Sequence, residues 1–186
     1  MAAPSSGSVQ RIPSRLIWNP NNLGAAVPYG GTYLGTCRDL EFTPQPQLRP
    51  IWDETSGSVI DTIYCGEKVL FKTVVRYPDA DMISTVAPKS ISGTSGYHWL
   101  FRPMGTTSNT RAGTSLGTRS GVLLIASRAP LAHPCLLIYN AVPAIDETTK
   151  LQMSLGEEYG LACCFYGTPD SSGRVYDTGF LADLAL

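Results

Sequence analysis

Hydrophobic and polar positions alternate most cleanly between Glu67 and Tyr77. Val69, Phe71, Thr73, Val75 and Tyr77 interleave with Lys68, Leu70, Lys72, Val74 and Arg76. Successive strand residues point to opposite faces, so this pattern predicts a half-buried antiparallel strand with one apolar and one mostly basic face. The basic face is ordinary solvated surface or a contact for a neighbouring subunit or an acidic polymer. Pro78-Asp79 then breaks the strand, and Asp79 can cap a short helix over 79–86.

The same reading places strands over 36–43, 59–65, 122–126, 135–142, 150–155, 159–166 and 175–180. In the first of these Leu40 and Phe42 share one face, Asp39 and Glu41 the other. Residues 44–58 read as a loop, because Pro44, Pro46 and Pro50 interrupt a ladder and Ser56-Gly57-Ser58 turns the chain. Gly66-Glu67 reads as a kink. Thr168-Pro169-Asp170-Ser171-Ser172-Gly173 reads as a turn. The expected fold is mainly β: a β-sandwich or partly closed barrel of about eight strands with one short flanking α-helix.

Two stretches stand apart. Residues 1–31, rich in Ser, Pro, Gly and Asn, read as an extended N-terminal arm ahead of one β domain over 32–186. Leu16, Ile17 and Trp18 are more apolar than a solvated tail requires, so the arm docks on its own domain or on a neighbouring chain. Residues 87–120 form a long Gly-, Ser- and Thr-rich loop that nevertheless carries Trp99, Phe101 and Met104; aromatic side chains in such a loop favour burial against a partner.

Composition narrows the functional classes. The 186 residues suit one domain, the net charge of −1 draws neither nucleic acid nor an anionic membrane, and no apolar run is long enough to span a bilayer. Met1 to Gln10 lacks the charged and apolar regions of a secretory signal. Five cysteines without a CxxC pair fit buried thiols in a reducing compartment better than zinc sites. No HExxH helix or phosphate loop is present, and no catalytic residue, metal or cofactor is expected; the chain does not read as an enzyme. The one candidate pair is His133 with Cys135, which would share a strand face; a loop histidine beside a core cysteine is the plainer account, and a cysteine hydrolase the remote one.

Taken together, the segments 34–44, 59–67, 139–143, 151–166 and 168–179 resemble the tail tube proteins of long-tailed bacteriophages. The likeness runs from Leu34-Gly35-Thr36 through a strand ending at Pro44. It continues with Tyr64-Cys65-Gly66-Glu67 leading into the long strand, and ends with Thr168-Pro169-Asp170 before a Gly-containing tail. It is poorest over 1–31 and 87–120. The resemblance implies a virion structural protein, assembled in the host cytoplasm. Six copies would form a ring, and stacked rings a hollow tube that joins other tail proteins and passes DNA non-specifically, with no membrane. It makes Asp39 and Glu41 candidates for the lumen, and Leu16, Ile17, Trp18, Trp99, Phe101 and Met104 candidates for subunit or inter-ring contacts. Removing residues 1–31 should then leave a folded monomer that cannot polymerise. A tail terminator, neck adaptor or capsid cement protein is the alternative.

Overall fold

The computed structural model describes residues 13–76, 91–92, 98–99, 115–130, 132–144, 151–152 and 160–186. The helix expected over 79–86 lies outside them. Among the described residues there are ten strands: β1 Ser14–Trp18, β2 Thr32–Trp52, β3 Val59–Arg76, β4 Ile91–Ser92, β5 His98–Trp99, β6 Gly121–Ser127, β7 Cys135–Ala144, β8 Leu151–Gln152, β9 Gly160–Gly167 and β10 Tyr176–Gly179. Strands β4 and β5 pair with each other, and the other eight form one antiparallel sheet in the order β10-β7-β6-β1-β2-β3-β9-β8.

That sheet closes. The first half of β7 pairs with β6, while its second half pairs with β9, Ala141 lying opposite Gly167 and Ala144 opposite Cys164. Six strands, β1, β2, β3, β9, β7 and β6, therefore make a barrel, which removes free edges from the body of the protein. Fold class follows the sequence: mainly β, a partly closed barrel.

Alternation fills the barrel. Leu16, Leu34, Val69, Phe71, Val75, Leu123, Ile125, Ile138, Leu161 and Phe165 belong to one buried cluster inside it. Phe71 and Phe165 meet with ring centroids 6.1 Å apart. The intervening residues Ile17, Leu124, Leu137 and Tyr139 face outward, yet they too are buried. Tyr29 from the connection after β1 and Leu181 and Leu184 from the C-terminal segment cover them in a second cluster. Burial on both faces explains why β6 and β9 read as continuous apolar runs.

The N-terminal arm is corrected by this arrangement. Residues 14–18 are a central barrel strand, hydrogen-bonded to β2 on one edge and β6 on the other. Asn19 closes the strand, its N–H donating to the Val122 carbonyl at 2.7 Å while its Oδ1 accepts from Val122 N at 2.9 Å. Leu16 and Ile17 are 0% exposed and Trp18 is buried. These three candidates for subunit contacts are spent on the chain's own core. Trp99 is placed in β5 by its backbone, and Phe101 and Met104 lie outside the described residues.

The proline-rich loop is corrected as well. Strands β2 and β3 form one long hairpin whose pairing runs without interruption of strand from Thr36–Arg76 to Trp52–Val59. The segment expected to be a loop is its outer half. Gly66, expected as a kink, is a bulge: Cys65 and Gly66 together oppose Gln47, and the φ of 114° there favours glycine.

Candidate functional site: a projecting β arm

Strand β1 pairs with β2 only as far as Cys37, and β9 pairs with β3 only from Val69. Beyond those points the hairpin carries itself. Residues 46–67 stand clear of the barrel, and at about 3.3 Å per residue the seven from 46 to 52 reach out roughly 23 Å. An isolated two-stranded hairpin is marginal in water, so the supports at its two ends matter.

At the tip, Asp53 organises the turn. Its carboxylate accepts from Thr55 N at 3.0 Å, Ser56 N at 3.3 Å and Ser56 Oγ at 2.6 Å. Asp53 N donates to the Ser58 carbonyl at 2.8 Å, and Gly57, at φ 64°, returns its N–H to Asp53. The Ser56 hydroxyl and then the Thr55 amide hold this carboxyl below its usual range. At the base, Phe42 packs edge-on against Tyr176 with centroids 4.9 Å apart. Glu67 accepts from Tyr64 Oη at 3.3 Å and from Tyr176 Oη at 3.4 Å, tying the arm to β10.

Strand β10 is itself fixed by the turn at Asp170, as the sequence suggested. Asp170 accepts from Ser172 N at 2.9 Å, Arg174 N at 2.8 Å and Arg174 Nε at 2.9 Å, and the Arg174 guanidinium lies 4.0 Å above the Tyr139 ring. Desolvation pushes the Asp170 carboxyl up, but the bonds from Arg174 and Ser172 outweigh it, and its pKa is lowered.

The two edges of the arm are blunted by different devices. Pro44, Pro46 and Pro50 share one parity along β2, so their missing N–H groups belong to one edge. Since β2 stays paired with β3 across all three, that edge is the outer one. On β3, Thr62 lies opposite Pro50, and its outward N–H is taken by the Asp61 carboxylate at 2.7 Å. Each edge thereby loses part of the donor row that strand addition would use.

The faces are different. Directly opposed residues of an antiparallel pair project to the same side. Leu48 with Tyr64, Pro50 with Thr62, and Trp52 with Val59 therefore line one face. Leu48 is 61% exposed, Trp52 59%, Tyr64 59%, and Ile60, in the bulge beside Val59, 66%. Burial of one such side chain is worth about 1.5–3 kcal/mol, which makes this an expensive surface to leave in water. The composition of the arm never announced it, because Pro, Ser and Gly between the apolar residues read as a loop. The period-two spacing of Leu48, Pro50 and Trp52 was the available signal.

The remaining candidates are placed as follows. Asp39 and Glu41 are both exposed, flanking a bulge in which Asp39 and Leu40 oppose Thr73; Asp39 has a φ of 54° and Thr73 Oγ1 donates to the Arg38 carbonyl at 2.9 Å. Arg38 Nε and Asp39 Oδ2 lie 3.6 Å apart, a surface pair worth at most ~1 kcal/mol. Cys135 is buried in the cluster beneath the C-terminal segment, and burial pushes its thiol pKa up. An attacking cysteine needs the opposite shift. Cys37 is likewise pushed up by burial, to about 12. Cys65, in the arm, is exposed, whereas the other four thiols are buried. Among the described residues no group of three His, Cys, Asp or Glu side chains could hold a metal ion, and no helix is long and apolar enough to cross a membrane.

No family model matches the chain, and no curated protein matches it. Among solved structures it is similar to one titled "Crystal structure of Hcp protein", at 7% identity, with a TM-score of 0.32, covering 90% of this chain and 98% of that one.

Proposed function

We propose that the chain is a structural subunit that assembles with copies of itself, and that the assembly is a stack of hexameric rings forming the hollow tail tube of a phage. The single observation that carries self-assembly is the arm: an apolar face built by Leu48, Trp52 and Tyr64, held out from a barrel that is otherwise closed. A monomer would gain nothing by ordering 22 residues away from its core, whereas a subunit recovers that cost when the face is covered.

The finer reading draws on the sequence resemblance. It places the protein in the virion, assembled in the host cytoplasm and joined to other tail proteins, with DNA passing through the tube and not gripped by it. The sparse charge of the chain supports a conduit over a nucleic-acid binder.

Sedimentation velocity over a range of concentrations tests the proposal. The full chain should form species well above monomer size, and a variant with 46–67 replaced by Asn-Gly should sediment as a folded monomer. Assembly of the arm-less variant to the same size as the full chain contradicts it. A single small ring that does not stack, seen with the full chain, would select a terminator or adaptor over a tube.

A further inference from the structure

Apolar exposure on the arm is not confined to the face built by Leu48, Trp52 and Tyr64. Arg49 lies opposite Ile63 and Ile51 opposite Asp61, and these four alternate with the first set, so they project to the other side. Ile63 is 47% exposed there. Cys65, two residues along the same strand, falls on that side too, opposite Gln47 in the bulge, and is exposed. The two sides differ in origin. Phe42 lies opposite Phe71, which lines the barrel, so the side of Phe42, Leu48 and Trp52 continues the barrel lining, and the side of Ile63 continues the outer wall. Of the eleven large hydrophobic residues exposed among the described residues, six lie between 46 and 67, and both sides of the arm hold some of them.

Resting on the self-assembly reading, we infer that the arm of one copy is enclosed between two others, one seated on the Leu48–Trp52–Tyr64 face and one on the Ile63–Cys65 face. Size argues for cover on both sides. A face about 23 Å long and two strands wide projects to roughly 230 Å². Even at roughly twice that, to allow for the relief of side chains, it falls short of the ~800 Å² that each partner of a stable interface buries. Cover on both sides brings the arm into that range. The occupant of the second face is also a copy of this chain. That face carries one cation and one anion, Arg49 and Asp61, and so offers no net charge to a nucleic acid or an acidic peptide. Its apolar part is too small to hold an independent partner. A neighbour already held in the assembly meets it at high effective concentration, so a weak second contact suffices. Each arm then joins three chains, which carries assembly beyond a pair.

The two faces can be blocked singly, since Leu48 and Ile63 are both exposed and project to opposite sides. In sedimentation velocity, Leu48→Lys and Ile63→Lys should each form species smaller than those of the full chain, and the variant carrying both should be a monomer. Ile63→Ser is the milder counterpart should the lysine variant fold poorly. Cys65 reads the same contact in the unaltered chain, because it is the one exposed thiol of the five. Its alkylation by N-ethylmaleimide, followed by peptide mass, should be at least about tenfold slower in the assembled chain than in the same chain diluted to monomer. Full-size assembly by both Ile63→Lys and Ile63→Ser, or equal alkylation of Cys65 in the two states, overturns the inference while leaving self-assembly through the Leu48 face intact. A full chain that is monomeric at every concentration overturns both.

Discussion

Leu16 and Leu48 are the same side chain in opposite settings, one sealed inside the barrel and one 61% exposed on the arm. Leu16→Ala should cost about 2–5 kcal/mol of stability, read from a denaturant midpoint. Leu48→Ala should stay within ~0.5 kcal/mol of the parent and instead weaken assembly. Two carboxyls tie the arm and β10 to pH. Asp53 and Asp170 both have folded pKa values below the ordinary 3.8. Their contribution is thus complete above the unfolded value and lost as pH falls through the lowered ones. An acid titration followed by Trp fluorescence should show Asp53→Asn less stable than the parent near neutrality, with the difference closing below about pH 4; an unchanged acid limb would refute the assignment. The alternation of buried Val69, Phe71, Thr73 and Val75 with Lys68 to Arg76 was legible in the sequence because a strand's period is fixed by its backbone. The bulges at Asp39 and Gly66 were not, because a left-handed φ is set by the register of the partner strand and leaves no periodic trace.

At the scale of elements, two stretches exchanged roles between sequence and structure. Residues 14–18 looked like part of a tail because five residues bounded by Pro13 and Asn19-Pro20 are too short to show a period. Yet β1 is paired on both edges. Deleting 1–31 should therefore unfold the barrel, seen as loss of a cooperative thermal transition, and not yield a soluble monomer. Residues 44–58 looked like a loop because proline is rightly taken to interrupt a ladder. It does so only on the bonded edge, and Pro44, Pro46 and Pro50 all present the unbonded one. Replacing 46–67 with Asn-Gly should leave the melting transition of the barrel in place while abolishing assembly. Among the described residues the main sheet still has eight strands, since the merging of two expected strands into β3 offset the missed β1, while β4 and β5 were not expected.

For the whole molecule, closure of the sheet through β7 and β9 was expected only as a partial barrel. Pairing between strands far apart in sequence depends on register, which composition does not record. Closure has a functional consequence. With the six barrel strands paired to one another, the apolar face of the arm is the contact surface that the described residues offer to other copies. Electron microscopy of the purified full chain at high concentration, beside the arm-less variant, tests self-assembly most directly. The full chain should form six-fold rings or stacked hollow tubes, and the arm-less variant only small monomeric particles. A full chain that stays monomeric at high concentration, or tubes from both proteins alike, would contradict an assembly built on the arm.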